Sequence, residues 1–130
     1  MLMDRMLPSG GWNYGNTMVF GKELRPMPES TGAALAALAG HVPKERVQAS
    51  LEYLKKAAFR VRTPLSLSWA ILGLGAWDER SPDAEHWLAE SVSRQSRYGP
   101  FTTALLSRIV TAFHAPRGLL SALQPQGDRP

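Results

Sequence analysis

The sequence predicts an all-α protein in which short apolar helices alternate with longer amphipathic ones. Two observations support this class. Apolar segments that begin near Thr31, Ser66 and Thr102 alternate with more polar segments, and these three residues are 35 and 36 positions apart. A period of this length is typical of helical repeat arrays. Because one repeat cannot bury its apolar helix alone, neighbouring repeats stack, which predicts inner apolar helices covered by outer amphipathic ones.

Composition fits one domain and excludes several kinds of site. The chain has 130 residues, of which 44% are apolar and 20% charged, as in an ordinary globular domain. It contains no cysteine, which excludes disulfides, a thiolate nucleophile and cysteine-ligated zinc. Without cysteines or a targeting segment, we expect a cytoplasmic protein. We expect a single domain, 1–130, with a short helix and Gly/Pro-rich loop in 1–29, helical repeats in 30–123 and a frayed tail in 124–130.

The net charge of +4 does not indicate a nucleic-acid partner, because the basic residues are scattered along the chain. The nearest approach to a patch falls at a predicted helix end, where cations are favoured: Lys55, Lys56, Arg60 and Arg62. The longest apolar run, residues 64–77, has 14 residues, whereas a helix needs roughly 20 to cross a bilayer. We therefore expect neither nucleic-acid binding nor a transmembrane segment.

The N-terminal part is predicted to be mostly irregular. Residues 1–7 have a helical composition and are followed by a Pro-Ser-Gly-Gly stop. Prolines and glycines favour an extended loop over residues 13–29. An alanine-rich apolar helix then follows, with Ser30 or Thr31 as its predicted N-cap and Gly40 at its end.

The next segment, residues 42–59, is predicted to be an amphipathic helix with Pro43 in its first turn. Its apolar residues recur at spacings of four, three and four, which places them on one face: Val47, Leu51, Leu54 and Ala58. We expect this face to be buried and the rest of the helix to be exposed.

The remaining segments repeat the alternation. A second apolar helix, residues 63–77, is nonpolar nearly all round and is therefore expected to be buried on most sides. Residues 81–99 form an amphipathic helix with Ser81 as its N-cap and with a narrow apolar side: Trp87, Leu88, Ser91 and Val92. A third apolar helix is expected over residues 100–113, and a short helix over residues 116–124.

Two stretches, SGGWNYGN at residues 9–16 and STGAALAALAG at residues 30–40, resemble the repeats of the prenyltransferase and squalene/terpene cyclase superfamily. Such repeats often carry Gln, Gly and Trp at a fixed spacing, which Gln95, Gly99 and Phe101 reproduce with Phe in place of Trp. The resemblance implies an α/α toroid, in which inner helices are ringed by outer helices. With about five or six helices, this chain would form a partial toroid of paired inner and outer helices.

The resemblance also suggests which aromatic residues matter. In such repeats a Gly pair turns the backbone sharply and aromatic rings close the gap between neighbouring repeats. We interpret Trp12, Asn13 and Tyr14 in this way, with a ligand-binding loop as the alternative. On the second apolar helix, Trp69 and Trp77 share one stripe. Toroid enzymes line a central cavity with aromatic rings, which stabilise cations, although residues at this spacing are otherwise core residues. These five residues are the candidate ligand-binding residues.

The sequence predicts no catalytic site. Class II cyclases of the superfamily protonate an alkene with an acid from an Asp-x-Asp-Asp motif, which this chain lacks. The adjacent acids Asp78 and Glu79 are interpreted as a surface turn. Serine hydroxyls in the apolar helices are expected to bond the preceding turn: Ser66, Ser68 and Ser107.

The sequence predicts no metal site either. The zinc of the protein prenyltransferases requires a cysteine ligand, which this chain lacks. The three histidines lie in separate segments without the spacing of metal ligands: His41, His86 and His114. We therefore expect no cofactor.

Three functions stay open. A non-catalytic toroid-repeat module, acting as a scaffold or binding domain, fits the missing acid motif. Part of an isoprenoid or terpene cyclase-like enzyme fits the aromatic residues but needs an aspartate-rich segment from elsewhere. A generic helical-repeat interaction adaptor fits the repeat length but not the aromatic Gly loop. An arc of repeats leaves exposed apolar edges, so we expect self-association, a protein partner or further repeats of a longer chain. An isoprenoid or other apolar molecule is the alternative ligand.

Overall fold

The structure, a computed structural model, describes residues 1–125, and within that range nearly all regular structure is helical. This confirms the all-α prediction. The helices are α1 (Pro28–Leu38), α2 (Gln48–Arg60), α3 (Pro64–Gly75), α4 (Ala84–Ser93), α5 (Gln95–Tyr98), α6 (Thr103–His114) and α7 (Leu119–Leu123). The described range thus holds seven helices rather than five or six, partly because the predicted helix 81–99 breaks at Arg94 into α4 and α5. Most of the predicted tail, 126–130, lies outside the described residues.

Helix α3 lies at the centre of the fold, as its all-round apolar composition predicted. It packs against α1, α2, α4 and α6. Its large side chains are removed from solvent almost completely, which favours folding by about 1.5–3 kcal/mol for each such side chain: Leu67, Ile71, Leu72 and Leu74. The apolar helices α1 and α3 alternate along the chain with the more polar α2 and α4; α2 packs against both α1 and α3, and α4 packs against α3.

Helix α2, together with the 3₁₀ turn Lys44–Val47 before it, buries the stripe that the periodicity of residues 42–59 predicted. The four apolar residues at spacings of four, three and four are all at most 1% exposed: Val47, Leu51, Leu54 and Ala58. They pack in one core cluster with residues of α1, α3 and α4. Glu52 and Lys55 flank this face, and their partly exposed side chains form an ion pair with an N–O distance of 3.2 Å.

The N-terminal part departs from the sequence prediction in two places. Residues 1–7 contain only one turn of 3₁₀ helix, Met3–Arg5, rather than an α-helix. The predicted extended loop contains a β-hairpin, whose strands are β1 (Met18–Val19) and β2 (Lys22–Glu23). Its two turn residues, Phe20 and Gly21, have φ of +48° and +73°. A two-residue turn with positive φ at both positions matches the right-handed twist of paired strands, which explains the hairpin.

The predicted N-caps of two helices were wrong. Helix α1 begins at Pro28 rather than after Ser30 or Thr31, because proline suits the first helical position. Helix α4 begins at Ala84. The hydroxyl of Ser81 accepts a hydrogen bond from the backbone N–H of Asp83, at 3.2 Å, in the turn before that helix. By contrast, Thr102 does cap α6, since its hydroxyl accepts from the N–H of Leu105 at 3.3 Å.

Helix α6 is less buried than the sequence predicted for an inner helix. Only Ile109 and Ala112 are buried within it, and they face α3 and α4. On the side next to these residues, Leu106, Val110 and Phe113 are 39%, 56% and 37% exposed. The apolar face of α6 is therefore wider than the contact that the described residues provide for it.

Candidate functional site

The Gly pair before Trp12 makes the sharp turn that the resemblance implied. Gly10 and Gly11 have φ of +97° and +84°, a region that L-residues rarely adopt. Both glycines also lie too close to other segments for a side chain. A Cβ on Gly10 would lie 2.9 Å from Ala49, and one on Gly11 would lie 2.6 Å from the Cβ of Pro26. The turn therefore holds the loop directly against α2 and the segment before α1.

Trp12 is fixed by burial and by hydrogen bonds at both its backbone and its ring. It is 3% exposed and belongs to the main core. Its backbone N–H donates to the Thr31 hydroxyl at 3.0 Å, and its indole N–H donates to the carbonyl oxygen of Leu2 at 2.9 Å. The N–H of Gly11 donates to the hydroxyl of Ser50 at 2.8 Å. Gly11 and Trp12 together thus join the N-terminal segment, α1 and α2.

Tyr14 differs from Trp12 in that its ring is 75% exposed. The prediction that both rings wedge between repeats is therefore wrong for Tyr14. Its hydroxyl nevertheless donates to Oε1 of Glu29 at 2.6 Å, and the hydroxyl of Ser66 donates to Oε2 at 2.7 Å. The Tyr14 side chain extends from solvent to a carboxylate that is itself 9% exposed, so it ties the loop to α1 and, through Ser66, to α3.

The carboxyl of Glu29 is held in its ionised form. Burial raises its pKa, but the hydrogen bonds from Tyr14 and Ser66 and a backbone bond outweigh burial, so that its pKa is lowered overall. Glu29 also lies in the first turn of α1, where the helix dipole favours negative charge. In turn, the hydrogen bond to Glu29 raises the pKa of Tyr14. Burial, followed by the charge of Glu29, raises the pKa of Tyr53.

Asn13 shapes the loop between these two aromatic residues. Its Oδ1 accepts from the N–H of Gly15 at 3.0 Å, and its Nδ2 donates to the carbonyl oxygen of Asn16 at 2.7 Å. This Asx-type arrangement rigidifies the turn locally. Residues 12–15 then form one wall of an open groove of about 440 Å³, which we call the loop groove. Its floor is the outer face of α1: Ser30, Ala33, Ala34 and Ala37.

The structure separates Trp69 and Trp77 from the loop residues. Neither lines the loop groove. The guanidinium of Arg108 lies over the Trp69 ring, 5.2 Å from its centre. The indole N–H of Trp77 donates to the carbonyl oxygen of Leu35 at 2.8 Å. Trp69 therefore links α3 to α6 through a cation–π contact. Trp77, predicted on the same helix, lies in the turn just after α3 and links that turn to α1.

The acidic turn at the end of α3 is only partly the surface turn that the sequence predicted. Asp78 is exposed and adopts a φ of +57°. Glu79 instead accepts hydrogen bonds from Lys44 and Lys55, with an N–O distance of 2.7 Å to Lys55. The hydrogen bonds from Lys44 and then Lys55 lower the pKa of Glu79. This carboxylate joins the end of α3 to α2 and the 3₁₀ turn before α2.

The prediction that serine hydroxyls bond the preceding helical turn is correct for Ser68 and wrong for Ser66. The Ser68 hydroxyl donates to the carbonyl oxygen of Pro64 at 2.6 Å, in the preceding turn. Ser66 uses its hydroxyl for Glu29 instead. Sequence reasoning missed Glu29 altogether, because a single glutamate in the first turn of a helix is common and carries no signal of burial. Only the position of Tyr14 on one side and Ser66 on the other distinguishes it.

Within residues 1–125, no three His, Asp or Glu side chains come close enough together to hold a metal ion. None of the helices described there is both long enough and apolar enough to cross a bilayer.

Comparison of the chain with family models, with curated proteins and with solved structures finds no match.

Proposed function

We propose that this chain is a non-catalytic helical-repeat module that associates with a second copy of itself through the exposed apolar face of α6. The observation that carries this proposal is the stripe of Leu106, Val110 and Phe113, which we call the α6 stripe. It lies beside the part of α6 that packs against α3 and α4. In a stacked helical array, a face in this position is covered by the next helix.

The uncharged surface of the α6 stripe favours a second copy as the partner. The helix carries no acidic residue, and its one arginine, Arg108, is held over the Trp69 ring. The α6 stripe itself therefore contains no charge. Two copies can meet there without like-charge repulsion, although each chain carries a net charge of +4. A two-fold pairing of identical faces is also the commonest symmetry of homo-oligomers.

The size of the stripe sets the expected strength of this association. From Leu106 to Phe113 it runs for about 10 Å along the helix axis. A helix pair in contact along α6 would bury on the order of 1,000 Å² in total, which is near the lower limit for a specific interface. We therefore expect a reversible dimer with a dissociation constant in the micromolar range.

Light scattering coupled to size-exclusion chromatography tests the proposal over a series of chain concentrations from micromolar to millimolar. Val110→Glu places a carboxylate in the middle of the stripe and should weaken the dimer at least tenfold, because two buried like charges would face each other. Val110 is already 56% exposed in the single chain, so the substitution should leave the monomer folded.

Ala104→Glu is the matched control, since Ala104 is an exposed residue of the same helix on the side away from the stripe. It should dimerise like the unaltered chain. The proposal is wrong if the unaltered chain stays monomeric up to millimolar concentration. It is also wrong if the two glutamate variants dimerise equally well.

A second candidate function, the binding of an apolar ligand, is favoured by the loop groove. The three loop residues selected from the sequence, Trp12, Asn13 and Tyr14, all line it. An isoprenoid cyclase-like role would use a ligand of this type but needs a catalytic acid from outside this chain. As part of this second candidate, we also propose that the helices form part of an α/α toroid. The adaptor alternative predicts association through α6 without any ligand in the groove.

A further inference from the structure

We propose that the loop groove binds an amphiphilic carboxylate, with its hydrocarbon tail on the floor of α1 and its head group at Arg5. This inference rests on the second candidate function and names its ligand class. It is independent of the association at the α6 stripe, because it uses a different surface: α1, the loop at residues 12–15 and the N-terminal segment. The groove is lined mainly by nonpolar atoms, and Leu2 and Arg5 complete its lining.

The floor of the groove suits a hydrocarbon chain. Along the outer face of α1, Ser30, Ala33 and Ala37 present one hydroxyl and two methyl groups over about 10 Å. With only short side chains on the floor, a ligand can lie close to the helix backbone. The ring of Tyr14, which is 75% exposed, adds flat apolar surface beside it. An extended alkyl or isoprenyl chain matches this narrow shape better than a bulky ring system does.

Arg5 provides the charge that selects the head group. Its guanidinium is exposed, and among residues 1–125 it makes one hydrogen bond, a long contact of 3.4 Å from Nη1 to the carbonyl oxygen of Gly15. Most of its five N–H donors therefore remain available for a carboxylate. A planar carboxylate can accept two parallel bonds from such a fork. The neighbouring Asp4 is paired with the N-terminal amine at 2.9 Å.

Tyr14 screens the one buried negative charge near the groove. Glu29 would repel an anionic head group, but each of its oxygens already accepts a hydroxyl hydrogen, from Tyr14 and from Ser66. Because Tyr14 stands between the groove and Glu29, the tail lies against the phenol ring rather than against the carboxylate. The head group is thus directed towards the guanidinium at the rim.

Isothermal titration calorimetry with three ligands of the same tail tests the proposal, with the two ionic ligands kept below their micelle concentrations and the alcohol below its solubility limit. The ligands are dodecanoate, dodecanol and dodecyltrimethylammonium. Dodecanoate should bind at least tenfold more tightly than dodecanol, and the cationic ligand should bind most weakly. Arg5→Gln should weaken dodecanoate about tenfold and leave dodecanol unchanged. If the three ligands bind equally, or if Arg5→Gln leaves dodecanoate binding unchanged, the proposed head-group site is wrong.

A second pair of variants tests the position of the tail. Ala37→Leu fills the floor and should weaken dodecanoate at least tenfold, whereas Ala89→Leu, at an exposed alanine of α4, should have no effect. Equal binding by both variants would contradict the placement of the tail on α1. Val110→Glu should bind dodecanoate like the unaltered chain. This result separates the groove from the α6 stripe, so that either proposal can fail without the other.

Discussion

Gly32 of α1 and Gly73 of α3 face each other where the two helices cross. A Cβ on Gly73 would lie 2.5 Å from the carbonyl oxygen of Gly32, and a Cβ on Gly32 would lie 2.2 Å from the carbonyl oxygen of Trp69. No real side chain fits at these distances. The two glycines therefore allow α1 and α3 to approach backbone to backbone, and this contact brings Glu29 of α1 within reach of Ser66 of α3.

Gly73→Ala should destabilise the protein although alanine is the better helix former. Propensity alone would stabilise α3 by about 1 kcal/mol. The added methyl group instead meets the backbone of α1, which cannot move aside as a flexible side chain could, so we expect a net loss of about 2 kcal/mol. Urea denaturation measures this free energy. An unchanged or increased stability would show that the two helices do not cross at these glycines.

Gly11→Ala should lower the free energy of unfolding far more than Gly21→Ala, although both glycines have positive φ. In the hairpin turn nothing lies within 4 Å of a Cβ on Gly21, so only backbone strain of about 1 kcal/mol is expected. At Gly11 the same strain adds to a clash with Pro26 and to a contact of 3.0 Å with the Thr31 hydroxyl. We expect a loss of about 3 kcal/mol or more there. Similar melting temperatures for the two variants would contradict the packing of the turn.

Arg62→Lys should destabilise the end of α2. Through Nη1, Arg62 donates to carbonyl oxygens of that helix end, and through Nε to Glu90 at 2.7 Å. Its guanidinium also lies 5.1 Å from the centre of the Trp87 ring. A lysine ammonium cannot make these contacts together, so we expect a loss of about 1–2 kcal/mol in urea denaturation. Arg60→Lys, at an exposed position of the same helix, is the control and should change stability little.

The hydrogen bond from Tyr14 to Glu29 should make part of the folding stability depend on pH in the acid range. The folded-state pKa of Glu29 is lowered by its hydroxyl partners despite its burial. Its stabilising contribution is therefore complete above the unfolded pKa of about 4.3 and is lost as pH falls through the folded value. For Tyr14 the pKa is raised, so its hydroxyl stays protonated through this range.

Melting temperatures of the unaltered chain and Tyr14→Phe, measured between pH 7 and pH 3, check this expectation. At neutral pH the phenylalanine variant should melt lower, and the difference should shrink as Glu29 becomes protonated. Other carboxyls with lowered pKa, such as Glu79 and Glu23, titrate in both proteins and cancel in the difference. A difference that stays constant with pH would mean that the phenol does not bond an ionised Glu29.

Local sequence patterns predicted much of the helical structure. The stripe of α2, from Val47 to Ala58, and the central burial of α3 follow directly from periodicity and composition, because a helix displays its sequence at a fixed angular interval. The sharp turn at Gly10–Gly11 was likewise predictable, since glycine tolerates a positive φ. Helix starts were predicted less well, because a hydroxyl such as that of Thr31 can either cap a helix N-terminus or bond the backbone of another segment.

What the sequence by itself determined is where most of the helical segments lie and the faces that α2 and α3 bury, since both depend on residues a few positions apart. Only the tertiary structure decided that Glu29 lies between Tyr14 and Ser66, that Gly11 and Trp12 join three segments, and that the α6 stripe remains exposed. These features depend on which distant segments meet. Such contacts are set by the packing of the whole chain, through close approaches such as that of Gly32 and Gly73, and no local pattern encodes them.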